Sequence, residues 1–145
     1  VVRAKPRPTT THDLAALVMR AVPPAARRQR IHPATRVFQA LRIAVNRELD
    51  VLQELFAQLP AIMAPGGCIA VVSFHSLEDR MVKRFIRAEQ DRDDLPAHFP
   101  VRAKDLPQPR LLAVGKAIKP SAQEVKRNPR SRSAVLRVAE RTEAA

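Results

Sequence analysis

Apolar residues recur at three- and four-residue steps over two stretches of the chain, and each stretch predicts an amphipathic helix with one face turned to a core. The first carries Leu14, Leu17, Val18 and Ala21, opens on Thr10 and Asp13 in the spacing of a capping box, and ends at Pro23 and Pro24. The second is longer. Phe38, Leu41, Val45, Leu52, Leu55, Phe56, Leu59 and Ile62 predict one continuous helix that Pro65, Gly66 and Gly67 stop, with Arg27, Arg28 and Arg30 forming a basic connector before it. The period then changes. CIAVVSF (residues 68–74) is a short apolar run rich in β-branched residues, which predicts a strand covered on both faces, as in parallel sheets. Ser76 and Asp79 repeat the capping-box spacing, and Leu77, Met81 and Phe85 mark one face of a helix over residues 77–88. Strand, tight turn and helix in that order predict an α/β protein.

Residues 90–110 show no period. They are acidic at first and then dotted with Pro96, Pro100, Pro107 and Pro109, which predicts a long surface loop. Residues 111–118 and 133–140 read as strands, the second alternating as Val135, Leu136 and Val138 around Arg137. Between them Ser121 and Glu124 form a third capping box, for a short helix that Asn128 and Pro129 end.

Composition narrows the class. The 145 residues are 46% hydrophobic, enough for a packed core, and 26 Lys and Arg against 14 Asp and Glu leave a formal charge of +12. Such an excess predicts a polyanionic partner, nucleic acid first, with a merely solvated Arg-rich surface as the alternative. The single cysteine, Cys68, has no internal disulfide partner, which fits a reducing compartment, and the cytoplasm is the expected location. No apolar stretch reaches the roughly 18 residues of a membrane span. A chain that begins at Val1, with basic residues and prolines following, is expected to be a piece of something longer. Only three glycines are present, with no GxGxxG, P-loop, CxxC or HExxH, so neither a metal site nor a self-contained nucleotide site is expected. Without Trp or Tyr, an aromatic platform for single-stranded RNA is not expected either.

Three polar segments are candidates for chemistry. The first is the turn Ser73, Phe74, His75, Ser76 at the carboxyl end of the apolar strand, the edge where open α/β sheets bind ligands. His75 suits a base or hydrogen-bond partner, Phe74 a stacking surface, and the amides opening the helix an anion. The plainer reading makes Ser76 a cap and Phe74 a core residue. The second segment has Arg36 at the entry to the long helix and Arg42 and Asn46 one turn apart further along, an RNA-contacting face or a solvated stripe. The third holds Lys126, Arg127, Arg130 and Arg132, a phosphate-binding segment or a plain basic turn. In an extended backbone Arg130 and Arg132 would alternate about Ser131 and point the same way.

IHPATRVFQALRIAVNREL (residues 31–49), APGGCIAVVSFHSLEDRMVKRF (residues 64–85) and KPSAQEVKRNPRSRSAVLRVAERT (residues 119–142) closely resemble the bacterial ribosomal RNA small subunit methyltransferase H family. The likeness covers most of the chain in the family's order and is weakest over residues 91–110. It implies a Rossmann-like class I methyltransferase that uses S-adenosylmethionine to methylate N4 of a cytidine in the decoding region of 16S ribosomal RNA. By the same likeness, residues 1–30 would end a helical substrate-recognition insertion. Residues 31–145 would be the carboxyl-terminal half of the methyltransferase domain, with residues 68–74 as its fifth strand and residues 111–118 and 133–140 as a closing antiparallel pair.

In that family the glycine-rich donor loop, the acidic ribose-binding position and the catalytic loop lie upstream of anything present here, so no donor-binding residue is assigned to this chain. Ser73, His75 and Ser76 are the candidates for proximity to the target base, and Arg36, Arg42, Asn46, Arg130 and Arg132 those for RNA. The implied partners are 16S ribosomal RNA within the small ribosomal subunit and the amino-terminal half of the same enzyme, with a homodimer left open and no membrane. The competing expectation is a non-catalytic basic RNA-binding or ribosome-assembly module.

Overall fold

The computed structural model describes residues 7–28, 31–90 and 108–143. Most of the expected loop over residues 90–110, and Arg30 of the basic connector, lie outside these. The chain divides into two compact units, Val1–Glu48 and Leu49–Ala145.

In the first unit, α1 (Thr11–Ala21) begins on the capping box read from the sequence: Thr10 accepts the Asp13 amide at 3.1 Å, and Asp13 accepts the Thr10 amide at 3.0 Å. Val18 is its buried residue. A short α2 (Pro24–Arg27) follows, and α3 (Ala34–Asn46) starts where His32 Nδ1 accepts the Ala34 amide at 3.2 Å and the His32 carbonyl accepts that of Thr35 at 2.9 Å.

The continuous helix expected through residue 62 is broken. Arg47 takes a left-handed conformation (φ 52, ψ 35), closing α3 before α4 (Glu48–Ile62) begins. A cluster at the break explains it. Arg42 donates to both carboxylate oxygens of Glu48, at 2.8 and 3.0 Å, and Asn46 donates to the same group at 3.2 Å. In an unbroken helix, positions six apart lie about 240° around the axis and cannot meet.

The second unit is built on a three-stranded sheet of order β1-β3-β2, formed by β1 (Cys68–Ser73), β2 (Leu111–Ala113) and β3 (Val135–Arg141), antiparallel throughout. Ala64 to Gly67 set up β1: Gly66 sits at φ 73 after Pro65, and the Gly67 amide returns to the Ala64 carbonyl at 2.9 Å. A Cβ on Gly67 would stand 2.7 Å from that carbonyl oxygen, so only glycine fits. Arg141 then bonds Gly66 and Gly67 through its backbone, both at 2.8 Å, extending the ladder.

Alternation along β1 puts Ile69, Val71 and Ser73 on one face and Cys68, Ala70 and Val72 on the other. The first face packs against α5 (Ser76–Gln90), whose Val82 and Ile86 join Phe56 and Leu59 of α4, Leu111 and Ala139 in the core. Phe56 stacks on Phe85 with centroids 4.5 Å apart. The other face is open among the described residues, with Val72 53% exposed. Coverage on both faces and a parallel neighbour are therefore not found there: β1 pairs only with antiparallel β3.

The strand expected over residues 111–118 is interrupted. After Ala113 the chain leaves the ladder, turns at Gly115 (φ 68) and rejoins β3 in a single bridge between Ile118 and Leu136. Ser121 then caps α6 (Ala122–Arg127) by accepting the Glu124 amide at 3.1 Å. Among the described residues no helix is long and apolar enough to cross a membrane.

Leu111 and Val82 are fully buried in this small core, so Leu111→Ala removes contacts that nothing nearby replaces. The expected loss is about 2–5 kcal/mol, measured by denaturant unfolding, with Leu112→Ala, whose side chain is 45% exposed, as the mild comparison. Equal losses for the two would contradict the core described.

Candidate functional site

At the carboxyl end of β1 the chain turns through Phe74 and His75 into α5. Glu78 reaches back across this turn: its Oε2 accepts the Phe74 amide at 2.9 Å and the His75 amide at 3.1 Å, while its own amide donates to His75 Nδ1 at 3.3 Å. The capping box is thus His75 with Glu78, one residue earlier than the Ser76 and Asp79 pair read from the sequence. Asp79 is unavailable because it is held elsewhere. Arg137 of β3 donates to it through Nε at 2.7 Å and Nη2 at 3.1 Å, a bidentate pair joining the first turn of α5 to the middle strand.

These contacts set what the turn can do. The Glu78 carboxylate takes the Phe74 and His75 amides and His75 takes those of Glu78 and Asp79, so four donors of this turn are engaged within the protein rather than offered to an anion. His75 Nδ1 is an acceptor, so a neutral ring carries its proton on Nε2, which lies 3.2 Å from Glu78 Oε1 but off the line of a hydrogen bond. Ser73 is only 2% exposed, and its Oγ has no partner among the described residues, which leaves a buried hydroxyl able to donate or accept. Ser76 is exposed, and Phe74, expected in the core, is 55% exposed.

The expected RNA residues fall in two places. In the first unit Arg36 is exposed, while Arg42 and Asn46 are both drawn onto Glu48 and form a local cluster rather than an open cationic face. In the second unit Arg130 and Arg132 are exposed on a 3-10 helix (Pro129–Ser133) that Asn128 caps by accepting the Arg130 amide at 3.1 Å. The extended backbone that would have aligned them is absent. At about three residues per turn, positions two apart diverge by about 120°.

Two contacts that shape this turn are not legible from local spacing, the Asp79–Arg137 pair and the folding-back of Glu78. A signal for the first was present: an arginine inside an apolar strand must find an anion if its side of the strand is covered, and Asp79 opens the helix that follows β1. The Arg137 hydrogen bonds pull the Asp79 carboxyl below its ordinary value, helped by the charges of Lys83 and Lys119 and opposed by burial, and Arg137 is raised in turn.

The chain matches the sequence profile described as the MraW methylase family over residues 1–142. It is 65% identical over 134 residues to a protein of Methylobacillus flagellatus named Ribosomal RNA small subunit methyltransferase H, a match covering 92% of this chain and 41% of that protein. Proteins of the same name from Azoarcus sp. (55% over 132 residues) and Coxiella burnetii (50% over 133 residues) are matched over 91% and 92% of this chain and 42% of their own length. The chain thus spans about two fifths of the length of these relatives.

Asp79 titrates below its ordinary value of 3.8, so the stabilisation from its pair with Arg137 is complete above that pH and is lost only as the pH falls through the lowered value. Asp79→Asn should therefore cost about 1–2 kcal/mol at neutral pH. The gap to the unsubstituted chain should stay constant down to about pH 4 and close below it. Chemical unfolding over a pH series reads this out, and closure of the gap near neutrality would contradict it.

Proposed function

Since the chain belongs to the MraW methylase family, we propose that it forms the substrate-side part of an enzyme that transfers a methyl group from S-adenosylmethionine to N4 of a cytidine in the decoding region of 16S ribosomal RNA. In this reading residues 31–145 are the carboxyl-terminal half of a Rossmann-like sheet, residues 1–30 are the end of a helical insertion, and the enzyme works in the cytoplasm on the small ribosomal subunit. The open apolar face of β1 supports it, because such a face calls for further covering elements.

In this reading the donor is assigned no residue on this chain. S-adenosylmethionine needs acceptors for its ribose and partners for its carboxylate and ammonium, and the amides of the strand-end turn are already bonded to Glu78. No step is therefore routed through the donor on this chain.

The chemistry left to these residues is positioning. The exocyclic amine of cytosine is a weak nucleophile because its lone pair is delocalised into the ring, so holding a flipped-out base in line and accepting a proton from the amine supply most of the acceleration. The observation that carries the assignment is the place of this turn at the carboxyl end of β1, where open α/β sheets bind ligands, with the buried Ser73 Oγ, unpartnered among the described residues, beneath it and able to orient the turn. His75, with Nδ1 capping α5, serves to hold the turn, and Ser76 offers an exposed hydroxyl beside it. Arg36, Arg130 and Arg132 contact phosphates, and Arg42 and Asn46 do so where an RNA phosphate competes with Glu48.

Calorimetry on the chain tests this division: RNA of the decoding region should bind in a salt-dependent manner, while S-adenosylmethionine should not bind. Stoichiometric micromolar binding of the donor would refute it.

For the 3-10 segment, Arg130→Ala and Arg132→Ala should each lower the slope of log K against log salt by roughly 0.7 to 0.9. Each should change stability by no more than about 0–1 kcal/mol, since both side chains are exposed. Unchanged slopes would remove this segment from the RNA site.

A further inference from the structure

Away from the strand-end turn, a groove of about 350 Å³ lies between the second half of α5 and the loop that interrupts the expected strand after Ala113. Its lining is one-signed. Lys83 and Arg87 come from α5, Lys116 from the loop and Arg137 from β3, and no acidic side chain lines it among the described residues. Arg137 is committed to Asp79, and Lys83 and Lys116 are exposed on either side of the groove.

The backbone adds a second feature. Val114 and Ile118 donate their amides to Val138 and Leu136, both at 2.9 Å, while Gly115, Lys116 and Ala117 between them donate to no backbone acceptor among the described residues. The left-handed Gly115 (φ 68) turns this segment into the groove lining, and a run of open amides beside a lysine is a concavity suited to an anion.

We propose that this groove is a phosphate-binding subsite for the RNA backbone, with Lys83 and Lys116 as its charge contacts and the Gly115–Ala117 amides as hydrogen-bond donors. None of these residues was singled out by sequence, because Lys83 lies on a helix face and Lys116 in a strand that was expected to be continuous. The inference rests on the reading that the partner is ribosomal RNA and extends it to a separate anchoring point. Contact there is blind to sequence and fixes the position of the duplex or strand while other residues meet the base.

The test is fluorescence anisotropy with a short labelled RNA of the decoding region over a salt series, on the chain and on the double variant Lys83→Gln, Lys116→Gln. The slope of log K against log salt should fall by roughly 1.4 to 1.8, with a similar loss for a scrambled RNA of equal length. Amide spectra of the unsubstituted chain should show Gly115 and Lys116 shifting on addition of RNA and of inorganic phosphate, and the double variant should keep the dispersion of a folded protein. If the chain binds RNA but neither the slope nor those amides change, the groove is not part of the site and only this inference falls. Poly-glutamate shifting the same amides as strongly as RNA would overturn the RNA assignment in favour of an acidic protein partner. No RNA binding at all by the unsubstituted chain would remove RNA as partner and, with it, both readings.

Discussion

Everything in the second unit waits on β3. The strand Val135–Arg141 lies between β1 and β2, so neither of the earlier strands has a described ladder partner until the last segment of the chain arrives. The entropy of closing so long a loop has to be offset by contacts made at once along the whole strand. Three kinds are made: the ladder to Cys68–Ser73, the burial of Ala139 against the α4 and α5 residues of the core, and the Arg137 fork on Asp79. The fork also sets register. A slip of one residue along β1 would turn Arg137 away from α5 and bury a neighbour in its place.

That ion pair has a consequence within the same first turn of α5. Asp79 and Glu78 are adjacent carboxylates at a helix start, and either has the chemistry to cap it. With Asp79 drawn to the sheet, Glu78 folds back onto the turn and His75 takes the capping position. The turn at the end of β1 is therefore held by its own contacts, and the buried groups there without a hydrogen-bond partner among the described residues are the Ser73 hydroxyl and His75 Nε2. A turn held in this way would spend little on ordering itself around any ligand.

The legible part of this molecule was whatever depends on local pattern. Thr10 with Asp13, Ser121 before α6, the apolar run opening at Cys68 and the Pro65–Gly67 stop could all be read because cap, period and turn chemistry act within a few residues. Where the outcome depends on distant partners, local pattern does not show it. Asp79 has the right spacing to cap with Ser76, and only the position of Arg137 in space shows that it does not. The break at Arg47 was hidden for a different reason: a left-handed arginine leaves no glycine or proline to announce it, and the apolar period runs on through it from Val45 to Leu52. Of the candidate site, its position at the strand end was legible and the roles of its members were not, since those turn on which nitrogen of His75 is occupied and whether Ser73 has a partner.

Charge shows the same division between count and arrangement. A formal excess of +12 says that a polyanion would be attracted, but not where, because each cation counts only to the extent that a neighbouring carboxylate leaves its field uncancelled. Arg42 is paired with Glu48 and Arg137 with Asp79, two arginines set in an otherwise apolar pattern. Arg130, Arg132 and Lys116 stand instead on exposed, irregular segments, the 3-10 turn and the loop after β2, with no ion pair among the described residues. Irregular backbone is what permits this. A helix or strand fixes its side chains against neighbours and its amides in a ladder, whereas a turn can offer both a cation and open amides to the same phosphate. The field that would draw a polyanion to the second unit is accordingly set in large part where the regular structure gives out, at the edges of the sheet, with Lys83 of α5 beside the loop after β2.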